Sequence, residues 1–274
     1  MVVIAMQGNP FSPAYFAARH AGAARARDFS AVNVAIYGPN GKHWSLREGT
    51  MDDDCVYRDG IVLGRSSLCW ERDALVVRID QRTTPLQRPL VGTIRFMPGR
   101  THASPRTLDA AGRHEWCPIA PSGRVEVHMK EPGLSFRGSG YHDANRGDEG
   151  LEEGFRSWTW ARATSGARTN VDYVAEDVFG NERKIHIGFD DDGALFDRLP
   201  PPRVGLSKAL WGVSREAFGA RAPDRVVTLE DGPFYARSLL RTGDSHAVHE
   251  TLDAQRLRRG WVRFLTPFRM GRLG

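Results

Sequence analysis

The sequence predicts an all-β protein, a sandwich or barrel of short strands. Three observations carry this: strand-like runs recur along the chain, turn-forming residues separate them, and helical periodicity is scarce. At 274 residues the chain is long for one small domain and short for three, so one large or two modest units are expected.

The runs fall at 31–37, 74–79, 91–96, 123–129, 154–164, 170–178, 183–189, 225–229 and 234–241. Gly38-Pro39-Asn40-Gly41, Arg58-Asp59-Gly60, Gly180-Asn181 and Asp190-Asp191-Asp192-Gly193 read as the hairpin turns between some of them. An alanine-rich helix is predicted at 13–26, behind Ser12 as N-cap, and a weaker one at 206–218. The softer segment from Cys117 to Gly123 divides the chain near its middle. It gives an N-terminal β unit at 1–122 and a C-terminal β unit at 123–274, the latter ending in a basic tail at 254–274. Pro200-Pro201-Pro202 is a stiff connector.

Hydrophobic residues make up 41% and charged residues 26%, too apolar for a disordered chain. No apolar run approaches the ~20 residues that span a bilayer as a helix. Cys55, Cys69 and Cys117 form no pattern and are odd in number, which argues against a disulfide framework and for a reducing compartment. The opening Met1-Val2-Val3-Ile4-Ala5-Met6 lacks the basic start of a signal peptide and begins inside a strand-like run, so a preceding N-terminal piece is expected.

The tail holds six arginines (256, 258, 259, 263, 269, 272) and no acid, which more than accounts for the net charge of +5. A nucleic-acid binder spreads basic charge across a face of its fold, so no nucleic-acid partner is expected. Here the arginines interleave with Trp261, Phe264 and Phe268, and Leu257, Trp261, Phe264 and Phe268 step at helical spacing. That pattern suits an anionic membrane surface, with Pro267 keeping any helix short; a C-terminal segment docked on the body explains the same residues.

Familiar site patterns fail. Asp143 to Gly154 does not spell a calcium loop, since its sixth and twelfth positions are Asp148 and Gly154. His246-Ala247-Val248-His249-Glu250 is not a zinc-protease motif, and no metal site is expected. Asp52-Asp53-Asp54 and Asp190-Asp191-Asp192 read as solvated turns. No nucleophile elbow, phosphate loop or dinucleotide fingerprint occurs. What remains is a density of aromatic and ionisable residues. On a strand, His114 with Trp116, Tyr141 with Asp143 and Trp158 with Trp160 each share a face. The three pairs make an aromatic-walled pocket with one acid in it, or core aromatics beside a turn-capping aspartate.

Gly140-Tyr141-His142-Asp143-Ala144-Asn145-Arg146-Gly147-Asp148-Glu149, then Phe155-Arg156-Ser157-Trp158-Thr159-Trp160-Ala161-Arg162, resembles the signature of the carotenoid 1,2-hydratases (hydroxyneurosporene synthases) of phototrophic bacteria. Asn9 to Pro13, Val32 to Pro39, Arg113 to Pro121, His249 to Leu252 and Pro267 to Met270 resemble the same family in the same order. The resemblance implies two lipocalin-like β units side by side with one or two short helices. It also implies a hydro-lyase that needs no cofactor and adds water to the terminal C1–C2 double bond of an acyclic carotene such as neurosporene or lycopene. The family's His-x-Trp pair falls on His114 and Trp116, and its Tyr-x-Asp pair on Tyr141 and Asp143. Family members carry a further N-terminal stretch ahead of the segment that begins here.

For that chemistry Asp143 is the candidate acid, raised by apolar surroundings. Trp116 and Tyr141 offer ring faces to a cation, and His114 handles the incoming water. Trp158, Trp160 and Asn145 line the substrate, Asn145 bracing the Asp143 loop with Arg146. The expected place is cytoplasmic, peripherally attached to the inner or photosynthetic membrane through the tail. A lipid- or carotenoid-binding relative without catalysis, and a lipocalin-like polyene cyclase, are the alternatives.

Overall fold

The computed structural model describes residues 1–38, 41–50, 60–166 and 168–272. The predicted turn residues Pro39, Asn40, Arg58 and Asp59, the run Asp52-Asp53-Asp54 and Cys55 lie outside them. Strands hold 58% of the described residues and helices 12%, so the protein is all-β as predicted. Among the described residues no helix is long and apolar enough to cross a membrane.

The order opens with β1 (Val2–Met6), α1 (Pro13–His20), β2 (Ser30–Gly38), β3 (Gly41–Gly49), β4 (Gly60–Leu63), β5 (Ser66–Glu71), β6 (Ala74–Arg82) and β7 (Pro89–Pro98). It continues with β8 (Arg106–Thr107), β9 (His114–Glu131), β10 (Leu134–Gly147), α2 (Leu151–Gly154), β11 (Phe155–Ser165), β12 (Arg168–Asp177), β13 (Glu182–Phe189) and β14 (Leu195–Asp197). It closes with β15 (Arg203–Leu206), β16 (Arg215–Phe218), β17 (Arg225–Asp231), β18 (Tyr235–Thr242), β19 (Ser245–Asp253), α3 (Gly260–Leu265) and β20 (Gly271–Arg272). Two compact units form: Met1–Pro98 with Gly123–Gly140 and Arg263–Gly274, and Gly99–Ser122 with Tyr141–Val262. The chain passes between them after Pro98, Ser122, Gly140 and Val262, so the expected boundary after 122 is one crossing of several.

In the first unit β1, β2 and β3 run antiparallel, and β20 adds in parallel beside β3. Val32, Val34 and Ile36 alternate along β2 and pack with Val77, Ile79, Ile94, Val127 and Met129 of the facing sheet. Full burial of each such side chain contributes roughly 1.5–3 kcal/mol. The Ser12 N-cap forms as predicted, Ser12 Oγ accepting from the Tyr15 amide at 3.2 Å. The helix stops at His20 rather than 26, because Gly22 turns the chain with a φ of +68°.

The second unit is built on a seven-stranded antiparallel sheet in the order β14-β13-β12-β11-β19-β18-β17. Its turns are the predicted ones: the Asp177 carboxylate accepts from the Phe179 and Asn181 amides, and Asp190 from those of Asp192 and Ala194. The helix predicted at 206–218 is instead the hairpin β15–β16, with Val204 opposite Ala217. Gly212, at a φ of +78°, closes a turn on the Ala209 carbonyl, and Ala209 and Val213 pack with Ala236 of β18. Those contacts win over a helical pattern that Gly205 and Gly212 already weakened.

The tail is partly docked. Leu257 and Val262 are buried, Arg256 donates to the Trp211, Gly212 and Pro233 carbonyls, and Arg258 donates to that of Glu152. Trp261, Phe264 and Phe268 remain 44%, 68% and 65% exposed.

Candidate functional site

The site residues belong to the second unit. β9 carries Trp116, whose ring is fully buried, and β10 carries Tyr141 and Asp143 two residues apart on one face. The Trp116 indole N–H donates to Asp143 Oδ2 at 2.7 Å, and the Tyr141 hydroxyl donates to the same oxygen at 3.1 Å. An oxygen that accepts two hydrogen bonds is the carbonyl-like one, so in the neutral acid the proton sits on Oδ1. Among the described residues Oδ1 has no hydrogen-bond partner.

β11 supplies the opposing aromatics. A bulge between Phe155 and Ser157 sets its phase, after which Trp158, Trp160 and Arg162 share a face. Trp160 stands opposite Tyr173 of β12 on one side and Glu250 of β19 on the other. The Trp160 ring meets Tyr141 at 5.7 Å, Trp158 meets Tyr173 at 5.8 Å and Tyr235 at 6.4 Å, and Trp116 meets Tyr173 at 5.7 Å. The Tyr173 hydroxyl donates to Asn145 Oδ1 at 3.4 Å, the contact that ties the expected Asn145 to the cluster. The Arg162 guanidinium lies 5.0 Å from the Tyr141 ring centre.

Burial dominates the electrostatics. It pushes the Asp143 carboxyl up to about 6, with Glu250 adding to the rise and the Trp116 and Tyr141 hydrogen bonds and Arg162 opposing it. Burial raises the Tyr141, Tyr173 and Tyr235 hydroxyls, so all three stay protonated donors. Asp143 thus keeps its proton in mildly acidic water up to about pH 6, where an ordinary aspartate has lost it.

His114 is placed differently. Its ring Nδ1 and its amide both meet Asp109 Oδ2 at 2.8 Å, and its ring packs on Phe155 at 4.5 Å. A Cβ on Gly147 or Gly154 would come within 2.5 Å and 2.4 Å of that ring, so both positions require glycine to seat it. Among the described residues, His114 makes no hydrogen bond to Asp143, Tyr141 or Trp116. The structure brings Trp116, Tyr141, Asp143, Trp160, Trp158 and Asn145 into one connected cluster and seats His114 at the foot of β9, two residues from Trp116.

Sequence reasoning missed Tyr173, Tyr235, Arg162, Glu250 and Arg237. Arg162 was legible as the next same-face residue after Trp160. The others needed the register of β12, β18 and β19, which spacing within one strand does not give. Among the described residues no group of three or more His, Cys, Asp or Glu is arranged to hold a metal ion.

A lipocalin-like β protein that holds a carboxyl against aromatic rings is the class that fold and site define. A crystal structure of an AttH-type protein from Nitrosomonas europaea shares this fold, with a TM-score of 0.54 at 12% identity over 82% of each chain. The carotenoid hydratase CrtC family model matches residues 3–273, and the chain belongs to that family. An acyclic carotenoid 1,2-hydratase of Thiocapsa roseopersicina is 37% identical over 281 residues, covering 100% of this chain and 69% of that protein. One of Rubrivivax gelatinosus is 36% identical, covering 99% and 69%. One of Cereibacter sphaeroides is 32% identical, covering 93% and 92%.

Proposed function

We propose that this chain hydrates the terminal C1–C2 double bond of an acyclic carotene, neurosporene or lycopene, giving a tertiary 1-hydroxy product. The observation that carries the reading is Asp143: an acid held at about 6 by burial, with both hydrogen bonds on Oδ2 and Oδ1 left to react.

The steps balance without a cofactor. The Oδ1–H bond breaks and the alkene π pair forms a C–H bond at C2, leaving a tertiary cation at C1. A water lone pair forms the C1–O bond, and the oxonium returns one proton to Oδ1. Asp143 is acid first and base second, at one atom, a role that typically supplies ~10²–10⁴-fold. Trp116 and Tyr141 hold Oδ2 throughout. The rings of Trp116, Tyr141 and Trp160 face the cation, each such contact being worth ~2 kcal/mol when desolvated. Trp158, Tyr173 and Tyr235 extend the aromatic wall along the polyene, and Asn145 fixes Tyr173. His114, tied to Asp109, positions β9 and thereby Trp116.

A carotene partitions into a bilayer, so the enzyme collects it at a membrane surface. We assign this contact to the exposed rings of Trp261, Phe264 and Phe268 among the tail arginines. Incubation with lycopene in detergent, followed by mass analysis of the pigment, tests the reading. A gain of one water per reacted end is expected; pigment bound but unchanged in mass overturns it.

A further inference from the structure

A fully buried arginine, Arg237, organises the far side of the site. Its Nε donates to Glu250 Oε1 at 2.7 Å and its Nη1 donates to Glu230 Oε1 at 2.7 Å, while the guanidinium lies 5.5 Å from the Tyr235 ring centre. Arg237 stands opposite Glu250 across β18 and β19, and Glu250 stands opposite Trp160 across β19 and β11. Same-face register therefore runs from the arginine through Glu250 to Trp160, whose ring meets Tyr141, the donor to Asp143.

The charged groups around Asp143 can be counted strand by strand. β9 offers Cys117, which burial keeps as a thiol, and β10 offers Tyr141, a neutral donor. β11 offers Arg162, β12 the neutral Tyr173 and β19 Glu250. Behind Glu250 stand Arg237 and Tyr235 on β18 and Glu230 on β17. Two guanidinium groups thus face three carboxyl groups. The set is neutral when one carboxyl keeps a proton, and Arg237 pairs with both glutamates by direct contact. The proton falls to Asp143. A cation forming beside Arg162 would be repelled by it, and a second anion on the far wall offsets that repulsion.

We propose that Glu250, clamped by Arg237, is the fixed negative charge of the site. It retains the proton on Asp143 before reaction and balances the positive charge on the substrate after that proton has moved. Glu250 acts through Asp143 and the field of the pocket, as a positioning residue. The proposal rests on the hydration reading above and adds the group that tunes its acid.

The test is Glu250→Gln, followed by the pH profile of hydration and by carboxyl-carbon NMR titration of Asp143 in aspartate-labelled protein. Removing a nearby negative charge makes the proton on Asp143 easier to lose. The Asp143 titration and the alkaline limb of activity are expected to move down by on the order of one pH unit, a tenfold loss of the protonated form at neutral pH. Glu230→Gln, on the same arginine but on β17, two strands beyond the β19 of Glu250, is expected to move both the same way by much less. Glu250→Asp keeps the Arg237 pair and draws the charge back by one methylene, so it moves the titration the same way by less. It carries the test should the glutamine variant not fold. An Asp143 titration unmoved in a folded Glu250 variant overturns the proposal. The NMR readout needs no turnover, so a wild type that binds carotene without hydrating it sinks the hydration reading alone.

Discussion

The Trp116 indole and the Asp143 carboxyl meet at 2.7 Å across strands that place them 27 residues apart in sequence. That bond fixes which carboxyl oxygen is a spectator. With Tyr141 on the same oxygen, Oδ1 is left without a hydrogen-bond partner among the described residues, and no protein acceptor draws on its proton.

The first consequence concerns Asp143→Asn. The amide keeps the shape and the acceptor oxygen for Trp116 and Tyr141 but cannot deliver a proton. Hydration of lycopene is expected to fall by at least ~10³-fold, while pigment binding is retained. The folded pKa of Asp143, about 6, lies above its ordinary 3.8. Its proton therefore favours the fold fully below 3.8, and that contribution disappears as pH rises through 6. At pH 8 an ionised, buried Asp143 costs about 2–3 kcal/mol relative to a neutral group. Asp143→Asn is thus expected to melt no lower than wild type at pH 8, measured by circular dichroism; a large drop at that pH would reassign Asp143 to a structural role.

The same titration sets the pH profile. In the proposed mechanism turnover requires the protonated acid, so kcat/KM is expected to decline as pH rises through about 6. Tyr141→Phe removes a hydrogen bond that favours the carboxylate, and so moves the limb to higher pH. It also loses rate below the limb, about tenfold, because Oδ2 is held by one donor instead of two. A limb that moves down in Tyr141→Phe would show that the hydroxyl does not donate to Asp143 in solution.

Much of this is legible in the sequence. The pairs His114 with Trp116, Tyr141 with Asp143 and Trp158 with Trp160 follow from the two-residue period of a strand, and the turns at Asp177–Asn181 and Asp190–Ala194 from their side-chain chemistry. Three things were not legible. The hairpin at 203–218 depends on Ala209 and Val213 meeting Ala236, a contact remote in sequence. Glu250 and Arg237 depend on strand register, and in sequence His249-Glu250 looked like a failed metal motif. His114 depends on Asp109 and on glycines at 147 and 154, none of which periodicity joins to it.

Asp109→Asn separates placement from chemistry at His114. Asp109 Oδ2 accepts from both the ring and the amide of His114, and Oδ1 accepts from the Arg113 amide. Burial raises the Asp109 carboxyl, but these hydrogen bonds outweigh it and leave the group below its ordinary value. Its contribution to stability is present above that ordinary value and is lost as pH falls through the lowered one. Asp109→Asn is expected to cost about 1–3 kcal/mol at neutral pH and to slow hydration by loosening β9. The alkaline limb stays near 6, since His114 does not touch Asp143. A new limb in the histidine range would make His114 a base for water instead.

The last prediction concerns the tail. Arg256 and Arg258 are bonded to the second unit, while in the first unit Arg263 lies 4.3 Å from the Phe16 ring centre and Arg269 4.4 Å from that of Trp44. Much of the arginine charge is thus anchored to the body, and the rings of Trp261, Phe264 and Phe268 stay outside. Anchored charge still attracts an anionic surface, and exposed rings enter its interface, so binding needs both. Co-sedimentation with phosphatidylcholine vesicles containing phosphatidylglycerol is expected to pellet the protein, and raising salt from 0.05 to 0.5 M, roughly a threefold shorter screening length, to release most of it. Replacing Phe264 and Phe268 by serine, both exposed, is expected to weaken pelleting about tenfold without changing the melting temperature. Equal pelleting of that variant would leave charge alone holding the membrane, and no pelleting of wild type at low salt would make the tail a docked segment and nothing more.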